Sequence, residues 1–308
     1  MTARLIGIDW GTSSFRAWLM DGTGAVIDSL AAPCGILSVE GGDFEGAFAR
    51  LVGHWPAVPV IASGMIASRN GWVEAPYLPL PLDAAALAAG LVAHRAGGRV
   101  IHFVPGALGG SGGLPDVMRG EETEIAGHLA AGGADGLFVL PGTHSKWAQI
   151  EGARLTAFRT AMTGEAYALL MAHSILGRLA PARTPGEPEE ATAGRAAAFA
   201  RGLAAGRAEG ALLARAFSAR TLALTGRLAA DEIGDYLSGL LIGDEVAAML
   251  AGMPAFAAPL AVTVIGRGDL AARYAAALGE CGASARIAPP GMAREGLRAI
   301  GKQAGLIP

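Results

Sequence analysis

Cysteine is almost missing from this sequence: Cys34 and Cys281 are the only two thiols in 308 residues. Two cysteines so far apart give neither a disulfide framework nor a four-thiolate metal site, and they suit a reducing compartment. Charge is thin as well, at 17% of residues, with a net of -3 when the six His are neutral. The basic surface that nucleic-acid binding needs is therefore lacking, although one or two local Arg residues could still hold a small anion. G-x-x-x-x-G-K-[ST] does not occur, which excludes a P-loop enzyme, and the lack of G-x-S-x-G excludes the hydrolase nucleophile elbow. The His residues show no H-E-x-x-H or related ligand spacing. No secretory leader precedes the strand-like run Leu5-Ile6-Gly7-Ile8, so a cytoplasmic location is expected. The stretch 246–266 carries no charge and is long enough to span a bilayer. Pro254 and Pro259 interrupt it, and an interior proline costs a helix about 3 kcal/mol. It therefore reads as a helix end, a loop and a buried strand, with no membrane span.

What is present is apolar. Hydrophobic residues make up 52% of the chain, enough for a large core, and the length favours two lobes. The opening reads as three strands, 4–10, 15–20 and 25–30, joined by a Gly11-Thr12-Ser13 turn and by the hairpin signal Asp21-Gly22-Thr23-Gly24. A helix over 44–54 and a strand over 58–62 follow. Residues 63–82 read as a long ordered loop, a kind that is often functional. A helix is expected over 83–94 with Asp83 as N-cap, then a strand over 100–104 and a Gly-rich segment, 106–113. A second strand–turn–strand–turn–strand unit spans 137–158. Most of 162–252 reads as helical, with a Pro- and Glu-rich break at 181–190, and a buried strand over 260–265 precedes another helix. Pro289-Pro290 leads into a final helix placed to pack back on the first lobe. Doubly wound folds alternate strand and helix from the start, so a duplicated meander points instead to two related lobes flanking a cleft.

Five segments carry chemistry. In Asp9-Trp10-Gly11-Thr12-Ser13-Ser14-Phe15-Arg16 an acid ends a buried strand and a Gly/hydroxyl turn follows. The turn at Gly11, Thr12 and Ser13 can wrap a phosphate, Asp9 can hold Mg²⁺, and Arg16 can meet a phosphate or carboxylate bidentately. Pro141-Gly142-Thr143-His144-Ser145-Lys146 repeats Gly-Thr-x-Ser at the same place in the second meander. A plain hairpin is the alternative at each position, and the recurrence weakens it. Gly266-Arg267-Gly268 follows a strand and opens a helix. It is either an adenosine platform or a G-x-G-x-x-A dinucleotide fingerprint, and Arg286 stands where the latter wants an acid. Asp116-Val117-Met118-Arg119-Gly120-Glu121-Glu122 puts acids at a helix start, where the helix dipole alone would favour them. As chemistry they offer a general base, with Glu121 and Glu122 as candidates and Asp116 in reserve. Gly64, Met65, Arg69, Asn70 and Trp72 share one loop that runs on to Tyr77. It could take a hydroxylated acid, Arg for the carboxylate, Asn for hydroxyls and Trp for the sugar face, or be a surface loop with a buried Trp.

Taken in order, the two turns and Ile265-Gly266-Arg267-Gly268 resemble the first phosphate, second phosphate and adenosine motifs of the sugar kinase, heat-shock ATPase and actin superfamily. More narrowly, the sequence resembles the 2-dehydro-3-deoxygalactonokinase family. That resemblance rests on 9–16, 64–77, 117–123, 140–147, Met162-Thr163-Gly164-Glu165 and 236–243. It implies an α/β, two-lobed actin-like ATPase (ribonuclease H-like) fold with the active site in the interlobe cleft. The expected lobes are 1–115, joined by the helix 290–308, for substrate and 116–289 for nucleotide. The implied reaction uses ATP and Mg²⁺ to phosphorylate the C6 hydroxyl of 2-dehydro-3-deoxy-D-galactonate in galactonate catabolism. Arg69 or Arg119 would anchor the substrate carboxylate. Many superfamily kinases place an Asp just before the second phosphate motif, where this sequence has Gly120-Glu121-Glu122-Thr123. A kinase of the gluconate epimer, an NADP-dependent oxidoreductase built on 260–288 and a non-catalytic ATP-binding regulator are the competing readings. The expected partner is a small sugar acid, with neither nucleic acid nor membrane, and a homodimer stays open.

Overall fold

The computed structural model describes residues 2–111, 113–181, 193–252 and 260–308. In the first half lie β1 (Ala3–Trp10), β2 (Phe15–Asp21), β3 (Val26–Ala32), α1 (Phe44–Val52), β4 (Val60–Ser63), β5 (Tyr77–Pro79) and α2 (Ala84–Ala89). They are followed by β6 (Val92–Ala96), β7 (Arg99–Phe103), β8 (Gly106–Ser111), β9 (Leu114–Met118) and α3 (Glu121–Ala130). The second half holds β10 (Gly136–Leu140), β11 (Ser145–Glu151), β12 (Arg154–Ala161), α4 (Thr163–His173), α5 (Ala193–Gly206), α6 (Leu212–Ala216) and α7 (Ser218–Leu224). It ends with α8 (Ile233–Ala251), β13 (Ala261–Val264), α9 (Gly268–Glu280), β14 (Ser284–Ile287) and α10 (Met292–Gln303).

Contacts divide the chain into two compact units. One holds Met1–Leu137, Ala148–Arg159 and Ala288–Pro308, and the other Phe138–Trp147 and Thr160–Ile287. The expected division after residue 115 is not where the contacts divide the chain, because α3 packs against α10 and stays with the first unit. The six-stranded sheet runs β3-β2-β1-β4-β7-β6 and the five-stranded sheet β12-β11-β10-β13-β14. In each, a meander leads to a central strand, and the next strand of the sheet lies on its far side.

β1 is antiparallel to β2 and parallel to β4, and the register sets Asp9 between Arg16 and Ser63. Beneath it, Trp10, Phe15, Phe44 and Phe48 are buried, with the Trp10 and Phe15 rings edge to face at 4.9 Å. In the second unit Leu237, Leu240 and Leu241 of α8 form a separate core with Ala198 of α5.

The helix expected over 83–94 is much shorter. Asp83 does cap it, its Oδ1 accepting from the Ala86 N–H at 2.8 Å, but α2 ends at Ala89 and Val92–Ala96 is a strand paired with β7. Gly97 and Gly98 both take positive φ, 56° and 72°, and close that hairpin as a two-residue turn that only such residues favour. Part of the loop expected over 63–82 is β5, and the Gly-rich segment 106–113 contributes β8, the middle strand of a β5-β8-β9 sheet. Of the break expected at 181–190 only residue 181 is described, and Pro254 and Pro259 also lie outside the described residues. Among the described residues no helix is long and apolar enough to cross a membrane.

α10 fixes α3. A side chain at Gly127 would collide with the Met292 carbonyl, and one at Gly296 with the Thr123 carbonyl, so the two helices touch backbone to backbone. Gly296→Ala is expected to destabilise the protein by about 1–3 kcal/mol through overpacking. Gly279→Ala, at a helical position with open space around it, should instead add up to about 1 kcal/mol from helix propensity. Urea unfolding of both variants checks the pair, and equal effects would refute the close-contact reading.

Candidate active site

Asp9 closes β1 and meets Arg16 across the antiparallel pair. The Arg16 Nε–H donates to Asp9 Oδ2 at 2.9 Å, and Nη2 pairs with the same oxygen. Burial nevertheless pushes the Asp9 carboxyl above its ordinary value, against the pull of Arg16. The chain then turns tightly, the Gly11 N–H donating to the Ser14 carbonyl at 2.9 Å, and leaves Thr12 and Ser13 exposed. Gly35 presses on the back of this turn, where any side chain would collide with the Thr12 carbonyl.

Two glycines bring the start of α3 to Asp9. Gly64 follows β4 with φ 92°, and a Cβ there would stand 2.8 Å from the Trp10 carbonyl oxygen and 3.2 Å from Asp9 Oδ1. Gly120 precedes α3 with φ 110°, and its Cβ would lie 3.4 Å from Gly64 Cα. The acids expected at this helix start therefore belong to the same locality as Asp9. Glu121 is half-buried, and its Oε2 accepts from the Arg119 backbone N–H at 3.1 Å. Glu122 turns inward. Both of its oxygens accept from the Gly120 N–H, at 2.9 and 2.7 Å, and Oε1 accepts from the Thr123 hydroxyl at 3.0 Å. Its side chain borders a small cavity with Leu82, Leu87, Ile125, Leu129 and Leu155. That apolar setting, with Glu121 adding repulsion, pushes its carboxyl up to about 7.

Glu124 and Ser63 lie within segments that the sequence singles out, but the motifs assign neither a role. Glu124 is pushed up to about 8, first by burial and then by Asp9. Its signal was present, since positions three apart share a helix face and Glu124 lies three beyond Glu121. Ser63, the register partner of Asp9 on β4, has a buried hydroxyl with no hydrogen-bond partner, and no sequence signal marks it.

Arg119 is 8% exposed, and its Nη2–H donates to the Ala75 carbonyl at 2.8 Å. Its guanidinium carbon lies 4.2 Å from the Tyr77 ring centroid, while Nε and Nη1 are buried without a partner. Arg69 and Asn70 are exposed, and Met65 opens a short 3-10 turn. Trp72, expected to offer a face to a sugar, is instead packed on Phe48, His94 and Phe103. Asp116, the reserve base, lies on β9 and hydrogen-bonds the next backbone N–H.

In the second unit the 141–146 turn splits in two. Thr143 and His144 are exposed, and Gly142 is half-exposed. Ser145 and Lys146, expected among the phosphate donors, are buried: Ser145 Oγ lies 2.7 Å from the Tyr274 hydroxyl, and Lys146 Nζ donates to Thr160 Oγ1 at 2.7 Å. Neighbours on a strand point to opposite faces, and the first four residues of β11 are all buried, so both faces of the strand are covered here. The start of α4 backs the turn, with the Glu165 N–H donating to the Thr143 carbonyl at 2.9 Å and Glu165 Oε2 lying 2.5 Å from His144 Nε2. A Cβ on Gly266 would lie 3.4 Å from Pro141 Cδ, so the Gly266-Arg267-Gly268 turn neighbours the 141–144 turn, and all three residues are exposed. Its strand, β13, sits between β10 and β14 in a meander-built sheet, which does not support the dinucleotide reading. Among the described residues no group of three or more His, Cys, Asp or Glu is arranged to hold a metal.

A carboxylate at the end of the first strand, a Gly/hydroxyl turn after it and the same sheet order built twice define an actin-like ATPase fold. Comparison with solved structures agrees. The activator of the 2-hydroxyisocaproyl-CoA dehydratase from Clostridium difficile, solved with bound ADPNP, aligns over 98% of this chain and 96% of its own with a TM-score of 0.52. At 10% identity it speaks for the fold alone. A Sinorhizobium meliloti protein, described in its crystal structure as a candidate 2-dehydro-3-deoxygalactonokinase, aligns with a TM-score of 0.84 and 34% identity, over 97% of this chain and 98% of its own. The 2-dehydro-3-deoxygalactonokinase of Escherichia coli K12 is 36% identical over 276 residues, 89% of each chain. Residues 9–300 match the family described as 2-keto-3-deoxy-galactonokinase, and the chain belongs to that family.

The Glu122 carboxyl has a sign that can be tested. Its folded value of about 7 lies above the ordinary 4.5, so between these values the folded protein holds a proton that the unfolded chain has released. Its contribution to stability is therefore greatest at low pH and is lost as pH rises from 4.5 towards 7. Glu122→Gln should remove this slope and raise stability at pH 8 relative to pH 5, by on the order of 2–3 kcal/mol against the wild type. Urea unfolding at the two pH values checks it, and parallel pH curves for the two proteins would refute it.

Proposed function

We propose that this protein transfers the γ-phosphoryl group of ATP to the C6 hydroxyl of 2-dehydro-3-deoxy-D-galactonate. The products are 2-dehydro-3-deoxy-6-phosphogalactonate and ADP, within galactonate catabolism. The observation that carries the reading is the joining of Asp9 to the Glu121 helix start through Gly64 and Gly120, in a chain whose family is shown over 9–300.

The exposed turns supply the phosphate donors, Thr12 and Ser13 in the first unit and Gly142, Thr143 and His144 in the second. Gly266, Arg267 and Gly268 offer a side-chain-poor surface for adenosine, and the residue between the glycines can lie along it. Asp9 fits a hydrated cation, because Arg16 engages its Oδ2 and Ser63, its register partner on β4, has a hydroxyl without a partner. Asp9 would hold Mg²⁺ directly or through water, and the bound ion would offset phosphate charge.

Glu121 is the base. Glu122 has both oxygens committed to the Gly120 N–H and faces apolar side chains, whereas Glu121 is half-exposed. As the C6 oxygen bonds to the γ-phosphorus and the bond to ADP breaks, the hydroxyl proton passes to Glu121. Arg119 takes the substrate carboxylate. A buried guanidinium with two unpartnered nitrogens is costly until an anion arrives, and Arg69 is exposed and carries no such penalty.

A coupled ADP-release assay over 3-deoxy-2-keto sugar acids tests the reading. Turnover is expected on the galactonate-derived acid. Faster turnover of the gluconate-derived epimer would reassign the substrate, and no ATP consumption on any acid would overturn the function. Glu121→Gln should lower kcat by about 10²–10⁴-fold with ATP binding retained. Arg119→Lys should raise KM for the sugar acid by about 10-fold or more, because it loses the planar fork. An unchanged KM would reassign the carboxylate anchor.

A further inference from the structure

Glu245 belongs to none of the phosphate or substrate motifs, yet it is 5% exposed and surrounded by hydrogen-bond donors. The Trp147 Nε1–H donates to Oε1 at 2.7 Å, and the Tyr274 hydroxyl donates to Oε2 at 2.7 Å. Thr163 adds a third hydrogen bond, and the single Ser145 hydroxyl proton is shared between Glu245 and the Tyr274 oxygen, 2.7 Å from Ser145 Oγ. A carboxylate has about four acceptor sites, and four neutral side chains surround them. Ser145, Trp147 and Tyr274 are each no more than 2% exposed, and Thr163 is half-buried.

Each donor sits on a segment that shapes the nucleotide end of the second unit. Ser145 and Trp147 open β11, directly after the 142–144 turn. Thr163 is the first residue of α4, followed by Gly164, whose Cβ would stand 2.9 Å from Thr143 Cα, and by Glu165, bonded to Thr143 and His144. Tyr274 lies on α9, which begins in the Gly266–Gly268 turn beside Pro141. Glu245 itself comes from α8 and stands behind all three.

We infer that Glu245 is a positioning residue for nucleotide binding: it ties β11, α4 and α9 together behind the 142–144 turn and so fixes the backbone that receives the ATP phosphates. The inference rests on the kinase reading above. Burial raises the Glu245 carboxyl, and the four donors oppose that shift, as a site built to keep an acceptor inside requires.

The test uses Glu245→Gln, which keeps size and shape but replaces one acceptor oxygen with an NH₂ group, so donors face donors. Tyr274→Phe removes a single donor and keeps the ring. For each full-length protein, calorimetry measures ATP–Mg²⁺ binding without sugar acid, and steady-state kinetics gives both KM values. Glu245→Gln should weaken ATP binding and raise KM for ATP by about 10-fold or more, with KM for the sugar acid within about twofold of wild type. Tyr274→Phe should shift the same constants in the same direction by less. ATP binding within about twofold of wild type in both variants would overturn the inference, as would an equal weakening of ATP and sugar acid, which marks general structural damage. If Glu245→Gln does not fold, Tyr274→Phe decides alone by the same criterion. A wild-type protein that binds ATP but phosphorylates no sugar acid refutes the kinase reading and leaves the binding comparison intact.

Discussion

The site depends on one close approach. Gly64 and Gly120 both hold positive φ, and their backbones come together beside Asp9. A side chain at Gly64 would collide with the Trp10 carbonyl beside Asp9, and one at Gly120 would stand in direct contact with Gly64, so the joint has no slack. A positive φ strongly favours glycine, and here the lack of a Cβ matters a second time, as clearance. α10 holds the other side of the joint: it packs on α3, β1 and β4, and two glycines let it touch α3 without intervening side chains. Thus the last helix of the chain fixes the angle of a helix whose chemistry is at its first turn.

The electrostatics follow from that joint. Asp9, Glu121, Glu122 and Glu124 crowd one locality, and Arg16 is the cation that acts on both Asp9 and Glu124. Three of these carboxyls are pushed up, mainly by burial. A locality so rich in acid favours an arriving cation and holds protons easily, both of which suit phosphoryl transfer. Arg119 shows the reverse imbalance a short way along the chain, with a buried positive charge lacking an anion. The two imbalances call for opposite charges, a cation at the first and an anion at the second.

Most of the strand order was legible because its signals are local. Asp21-Gly22-Thr23-Gly24 and Glu151-Gly152 mark hairpins, and β1, β10 and β13 are compact apolar runs. β8 and β9 were not, because Gly106, Gly109, Gly110 and Pro115 have low strand propensity and their pairing is settled by tertiary contact. α2 was read too long because alanines continue past its cap, and Gly90 together with the Gly97-Gly98 hairpin carried the contrary signal. At the site, Asp9, Arg16 and the acids of α3 could be named from their motifs. Which acid turns inward could not, since Glu121 and Glu122 are neighbours in sequence and differ only in the surroundings that packing gives them. Trp72 is a similar case, where an aromatic in a polar loop is claimed by Phe48 and Phe103.

The two Gly-Thr-x-Ser turns show how far a repeated sequence repeats its chemistry. Ser14, the hydroxyl that ends the first, is exposed, whereas Ser145, which ends the second, is fully buried and bonded to Tyr274. The second turn therefore offers fewer side-chain hydroxyls, and its exposed part is Gly142, Thr143 and His144, backed by Gly164 and Glu165. A phosphate there would rely more on backbone N–H groups, and a backbone donor is only as well aimed as the turn that carries it. The first turn is held by strand pairing and by Gly35. The second is held from behind by hydrogen bonds, and these converge on residues that lie 98 and 129 positions from their partners in the chain. Short-range pattern cannot reveal such a brace, because its members meet only when distant segments pack together.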